Sequence, residues 1–147
     1  MVQRALVLAV AAALVAVIVI VARWWSARGV VALRAAPADG LWTALGAAPD
    51  GRPSLVVFST QGCTVCQTAQ YPAVETIEAA FGSALRVLRV DLSRHPAAAA
   101  AFKVLTAPST ALLTGDGRVG SFNHGFAPAE LLTAQLSALG ASPASPQ

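Results

Sequence analysis

Cys63 and Cys66 are the only cysteines of this 147-residue chain, and their C-x-x-C spacing could support chemistry. A single pair is too few for a disulfide scaffold, and the loop that it would close is too short to stabilise a fold much. The pair therefore favours a reactive site over a structural disulfide.

The elements around this pair would place the first thiol at the start of a helix. An apolar, β-branched run over residues 54–58 predicts a buried strand, Gly62 ends it, and a helix is predicted from Cys63 to about Phe81. Unpaired N–H groups and the helix dipole would favour a thiolate there and lower the pKa of Cys63. Residues at i and i+3 meet across one turn, so we expect Cys63 to attack and Cys66 to resolve the mixed disulfide.

The cysteine pair has three other interpretations. A zinc site would need His95 and His124, which are distant and lack the H-x₃₋₅-H spacing of such sites. The pair could also be two inert buried thiols or a purely structural disulfide. Neither histidine lies near the motif in sequence, and we expect both to be surface or packing residues.

The N-terminal segment predicts a membrane anchor. Between Arg4 and Arg23 there is no charge, and residues 5–22 would span about 27 Å as a helix, close to the ~30 Å of a bilayer core. The run is longer than that of a signal peptide, no A-x-A site follows it, and Trp24 and Trp25 suit the membrane interface. We expect an anchor and juxtamembrane segment over 1–28, a globular domain over 29–140 and a disordered tail over 141–147.

The distribution of arginine predicts the orientation of this single-pass cell-membrane protein. Arg23, Arg28 and Arg34 follow the span, whereas Arg4 and the N-terminal amine precede it. The positive-inside tendency then favours the cytoplasmic side for the domain by about one charge. An extracytoplasmic domain is the alternative.

Charge and composition argue against other classes of function. The formal net charge is +3, and the arginines are scattered rather than clustered with aromatic residues. We therefore expect no nucleic-acid binding. Gly-rich phosphate loops are absent from the sequence, and the predicted chemistry needs no bound organic cofactor or metal.

Periodicity and turn residues predict an α/β domain. The predicted strands are 30–33, 54–58, 85–92, 110–113 and 118–123; the predicted helices are 38–47, 63–81, 96–102 and 128–139. The alternating first half predicts parallel strands, and the Gly-Asp-Gly turn at 115–117 predicts an antiparallel pair. In the last helix the polar Gln135 interrupts an apolar pattern.

Four segments resemble the thioredoxin family in the same order. Residues 53–66 (PSLVVFSTQGCTVC) are similar to its strand and redox motif, and residues 104–110 (VLTAPST) to its cis-proline segment. Residues 115–119 (GDGRV) resemble its late hairpin, and Gly125 its glycine after the last strand. Over residues 30–140 this resemblance implies a thioredoxin fold, a central mixed β-sheet flanked by helices, here following an N-terminal transmembrane helix.

The resemblance also implies the site. Pro108 would be cis and packed beside the two cysteines, while Thr106 and Ala107 would line the groove for a substrate's extended chain. Gly62 stands where the family usually has tryptophan, so this lip of the groove is bare.

Three further departures from the family pattern concern the chemistry. Thr64 and Val65 replace a glycine and a proline between the cysteines, and Pro72 lies one position later than usual. Val57 stands where the family has a buried acidic residue, so proton transfer from Cys66 must use water or another group. The sequence also lacks the inserted helical domain of the periplasmic oxidases.

The resulting hypothesis is a membrane-anchored thiol–disulfide oxidoreductase that exchanges dithiol and disulfide with protein cysteines and has an upstream redox partner. One alternative is a dedicated reductant of a single partner, such as an apocytochrome. Another is a non-catalytic binding module with the same fold.

Overall fold

The computed structural model describes residues 2–144. Met1 and residues 145–147, which belong to the predicted anchor and tail, lie outside the described residues. The chain divides into two compact units, Met1–Ala32 and Leu33–Gln147.

The first unit is formed by most of helix α1, Val2–Ala35. Within its segment Leu6–Ala35, the most apolar stretch of 18 residues has a mean hydropathy of 2.9 and contains no buried residue. This length and composition suit a membrane span, and a signal sequence would meet the same criteria.

The predicted strand at residues 30–33 is wrong, because α1 continues through it to Ala35. The first proline after the apolar run is Pro37, and Gly29 alone is not enough to end a helix. The short stretch at residues 30–33, which contains two β-branched valines, therefore continues the helix that precedes it.

The second unit is built on a four-stranded mixed sheet. Its strands are β1 (Ser54–Ser59), β2 (Arg86–Asp91), β3 (Ser109–Leu113) and β4 (Val119–His124). Their order is β2-β1-β3-β4, with β1 parallel to β2 and antiparallel to β3, and with β3 antiparallel to β4. The mixed sheet and the hairpin agree with the sequence prediction.

Helices cover both faces of this sheet. They are α2 (Ala38–Leu45), α3 (Tyr71–Phe81), α4 (Pro96–Ala101) and α5 (Ala129–Ala138). A π-helical segment, Cys66–Gln70, leads into α3, and a 3₁₀ turn, Gly82–Ala84, follows it.

Alternation along the central strand divides the core in two. Leu55 and Val57 of β1 face α3 and α5, where they form one cluster with the following buried residues: Val74, Ile77, Phe81, Leu112, Leu132 and Leu136. Phe58 faces the other side, where its ring packs 5.2 Å from Phe102 and 6.2 Å from Phe122. Alternate residues of β1 thus point to opposite faces of the sheet and pack into two separate apolar layers.

Gln135 interrupts the apolar pattern of α5 because it has a polar partner. Its amide and that of Asn123 in β4 donate to each other's oxygens at 2.8 and 2.9 Å, and Asn123 also donates to Thr110 of β3. These bonds satisfy polar groups that lie between the helix and the sheet.

Two residues of the C-terminal segment, Ala141 and Ala144, contact the rest of the domain. Ala141 is buried in the core cluster, and the backbone N–H of Ala144 donates to the carbonyl of Ala80 at 2.9 Å. Ala80 lies in the last turn of α3, where carbonyls lack partners within the helix, so the tail satisfies one of them.

The β3–β4 turn is held by a tryptophan. Trp42 of α2 is buried, and its indole N–H donates to the carbonyl of Gly117 at 3.0 Å. Gly117 has a φ of 89°, and a Cβ built there would lie 2.5 Å from Trp42 Nε1. Both the backbone conformation and the close approach of the indole require glycine.

A pair of alanine substitutions separates these two requirements. Gly51 has a similar φ of 85° but open space around its Cβ position, so Gly51→Ala should cost about 1–2 kcal/mol of backbone strain. Gly117→Ala should cost about 1–3 kcal/mol more, because it also displaces the indole. Urea unfolding of the full chain in mild detergent measures both; equal losses would contradict the steric role of Trp42.

Candidate redox site

Cys63 and Cys66 form a disulfide in this structure. Their Cα atoms are 5.3 Å apart, within the normal range for such a bond. The two residues differ in access: Cys66 is 1% exposed, whereas Cys63 is only partly buried. An approaching thiol or disulfide would therefore reach Cys63 first.

The helix begins directly after Cys63, as the sequence predicts. Thr64 is the first helical residue, and the backbone N–H of Cys66 donates to Cys63 Sγ at 3.2 Å. This N–H lies in the first turn, where backbone donors have no helical acceptor. Cys63 thus takes the place of an N-terminal capping residue, and after reduction the same donor would favour a thiolate.

The π-helical segment accounts for the late position of Pro72. The N–H of Tyr71 donates to the carbonyl of Cys66, five residues back, instead of four as in an α-helix. A π-turn accommodates one additional residue without breaking the helix. The extra residue between Cys66 and Pro72, relative to the family pattern, is absorbed there.

The last residue of the π segment reaches a distant loop. Gln70 is fully buried; its amide nitrogen donates to the carbonyl of Ala127 at 3.1 Å, and its amide oxygen accepts from the N–H of Ala127 at 3.0 Å. Ala127 lies between β4 and α5. Gln70 cannot be recognised from the sequence, because its partner is 57 positions away and a lone glutamine carries no signal.

The peptide between Ala107 and Pro108 is cis, and Pro108 is buried. Ser109, the next residue, pairs with Phe58 near the end of β1, so this peptide lies at the edge from which the chain continues to Cys63. Ser109 Oγ donates to the carbonyl of Thr106 at 2.7 Å, which closes the turn. The sheet register thus brings the cysteine and proline segments to one edge.

The other residues predicted for the groove lie in these segments. Thr106 is exposed, Ala107 is partly buried, and Gly62 is exposed with a φ of 74°. A Cβ at Gly62 would have no atom within 4 Å. Val57 is fully buried and pairs with Thr110 in the neighbouring strand.

Each histidine has a partner other than a cysteine. His95 Nδ1 lies 3.1 Å from the carbonyl oxygen of Asp91, and the ring of His124 packs 4.6 Å from that of Phe122. Within residues 2–144 there is no group of three or more His, Cys, Asp or Glu side chains placed to hold a metal ion.

A carboxylate ends the parallel strand at the same edge of the sheet. Asp91 pairs with Ser59, and the backbone N–H of Ser93 donates to its Oδ1 at 2.8 Å. This hydrogen bond lowers the pKa of Asp91 below its usual value. Asp91 is therefore ionised at neutral pH and does not act there as a proton donor.

Comparison with solved structures identifies the fold. A malarial protein aligns with a TM-score of 0.55 and 21% identity, over 59% of this chain and 96% of its own. Thioredoxin-2, a component of the malaria parasite protein secretion machinery, aligns with a TM-score of 0.56 and 21% identity, over 59% and 82%. The dsbF protein of MTB, in mixed oxidized and reduced forms, aligns with a TM-score of 0.51 and 20% identity, over 60% and 81%.

The chain has the thioredoxin fold. The fold class implied by the sequence resemblance is thereby confirmed. No protein-family model matches the chain, and no curated protein matches it. At these identities the likeness shows the fold alone, so the chemistry must be argued from the residues of this chain.

The difference in exposure predicts selective alkylation. After reduction, iodoacetamide should label Cys63 first, because Cys66 is 1% exposed. Peptide mapping of the briefly labelled full chain measures the ratio, and Cys63→Ser should then react slowly at Cys66 alone. Equal labelling of the two thiols would contradict the assigned access.

Proposed function

We propose that this protein is a membrane-tethered thiol–disulfide oxidoreductase acting on cysteines of other proteins. The observation that carries the proposal is the Cys63–Cys66 disulfide at the start of a helix, with the partly exposed sulfur accepting a backbone N–H. A thioredoxin fold and the cis peptide before Pro108 at the same edge of the sheet support it.

The reduction of a substrate disulfide takes place in two thiol–disulfide exchange steps. The Cys63 thiolate attacks a substrate disulfide; a Cys63–substrate S–S bond forms, the substrate S–S bond breaks, and one substrate thiolate leaves. The Cys66 thiolate, its proton given up, then attacks Cys63 Sγ, which forms the Cys63–Cys66 bond and releases the second substrate thiolate. The substrate is reduced, the enzyme is oxidised, and an upstream dithiol partner restores the reduced pair.

The groove beside the cysteines would hold the substrate by its backbone. Thr106 is exposed, and Ala107, whose peptide bond to Pro108 is cis, is partly buried. The carbonyl of Thr106 already accepts from Ser109 Oγ, so an extended chain would pair with the backbone of Ala107. Pairing of this kind gives affinity without demanding a particular sequence. The bare lip at Gly62 leaves room for the substrate on the other side of Cys63.

Two features favour a narrow range of clients, as in a reductant dedicated to one partner. Val57 supplies no carboxylate, so the proton of Cys66 must leave through water or another group. The apolar helix α1 would keep the domain at the membrane surface and so limit the proteins that it meets.

The proposed reducing activity predicts that removal of the attacking thiol abolishes catalysis. With dithiothreitol as electron donor, the full chain should accelerate the reduction of insulin, whereas Cys63→Ser should leave only the rate of dithiothreitol itself, because no mixed disulfide can form. Turbidity of the precipitating insulin chains measures this. Equal rates for the two proteins would contradict an enzymatic function and favour a binding module.

The resolving thiol gives a test of client range. Cys66→Ala should retain the mixed disulfide at Cys63, because the second step has no attacking sulfur. One dominant adduct on a non-reducing gel of cell membranes supports a dedicated reductant, and many adducts support a general enzyme. The Cys63→Ser, Cys66→Ala double variant is the control that should trap nothing.

We further propose that α1 is a retained single-pass anchor with the domain, residues 29–140, on the cytoplasmic side. Arg23, Arg28 and Arg34 follow the apolar run, whereas Arg4 precedes it. A membrane-impermeant maleimide should then label reduced Cys63 in lysed cells but not in intact ones. Labelling in intact cells would place the domain outside, and recovery of Cys63 in a soluble, shortened chain would show cleavage.

A further inference from the structure

We propose that Gln70 is a positioning residue that fixes the loop 125–127, so that Phe126 forms an apolar wall of the client site. The enzyme would then prefer disulfides flanked by apolar side chains. This inference rests on the proposed function and names the substrate class of the same site.

The first observation is the reciprocal pairing of Gln70 with one backbone residue. The side-chain amide donates to the carbonyl of Ala127 at 3.1 Å and accepts from its N–H at 3.0 Å, and both residues are fully buried. A buried N–H and a buried carbonyl of the same residue are otherwise costly to leave unpaired. An apolar side chain at position 70 could fill the space but could satisfy neither group.

The second observation is that the pairing starts from the helical segment that carries the resolving cysteine. Cys66 and Gln70 are the first and last residues of the π segment, and both are buried. Residues four apart lie on one side of a helix. The side chains of Cys66 and Gln70 therefore leave the segment on the same side, and Gln70 holds the loop there.

The third observation is that the loop is fixed at both ends while its middle is exposed. His124 is the last residue of β4 and pairs with Ser109, which follows the cis-proline. Gly125 then turns the chain with a φ of 82°, and Ala127 is held by Gln70. Between them Phe126 leaves 46% of its surface exposed.

These contacts give Phe126 a location at the edge of the sheet that carries the redox pair. A single exposed aromatic ring is common on a protein surface, and its burial by a partner contributes to binding. A client with a leucine or phenylalanine beside its cysteine would cover the ring as its disulfide approaches Cys63. Gln70 itself touches neither substrate nor sulfur in this account and acts through the loop.

The test compares two synthetic peptides, each with one disulfide, that differ in having leucine or serine next to the attacked cysteine. For the wild-type full chain we expect a lower KM for the leucine peptide at similar kcat. Phe126→Ser should raise the KM for the leucine peptide on the order of tenfold and change that for the serine peptide little. Gln70→Leu should also raise the KM for the leucine peptide, with kcat again similar.

A double-variant cycle tests whether the two residues act together. If Gln70 works by placing Phe126, the double variant should lose no more preference for the leucine peptide than Phe126→Ser alone. Effects that multiply would overturn the proposal, as would an unchanged peptide preference in Gln70→Leu.

Matched variants separate positioning from general stability. Ile77→Val removes one methyl group from the buried face of α3 and should lower the melting temperature without changing the ratio of the two KM values. If Gln70→Leu does not fold, Gln70→Glu replaces it: the carboxylate can still accept from Ala127 but cannot donate, so the preference should fall. Wild-type inactivity towards both peptides would contradict the proposed function instead.

Discussion

The hydrogen bond from the Cys66 backbone N–H to Cys63 Sγ is the interaction on which the functional account depends. It exists because the helix starts immediately after Cys63, where the first turn offers N–H groups without helical acceptors. The same turn buries Cys66 and leaves Cys63 partly accessible. One feature of helix geometry therefore gives two chemically identical residues different exposure, and the proposed attacking and resolving roles rest on that difference.

The sheet register supplies the surroundings of that sulfur. Ser109 pairs with both Phe58 and His124, so the segments before β3 and after β4 meet the cysteine segment at one edge. The π segment then shifts the helix by one residue, and Gln70 at its end faces the loop after β4. Strand pairing and a single helical irregularity thus bring three stretches of chain to the end of the sheet at which β1 leads to Cys63.

Local sequence patterns predicted the parts of this arrangement whose causes are local. The buried run at 54–58, the turn at 115–117 and the helix start at Cys63 each follow from residues that are adjacent in sequence. The strand predicted at residues 30–33 failed because a preceding helix overrode β-branched propensity. The role of Gln70 required knowledge of the distant Ala127, which no spacing pattern in one sequence contains.

The pH dependence of Cys63 reactivity in reduced Cys66→Ala, which keeps the backbone N–H at position 66, tests most directly whether the helix start favours the Cys63 thiolate. The rate of alkylation should reach half its maximum at a lower pH in the folded full chain than in the same chain unfolded in urea, because the helix start favours the thiolate. Coincident profiles for the folded and unfolded chains would contradict the central claim.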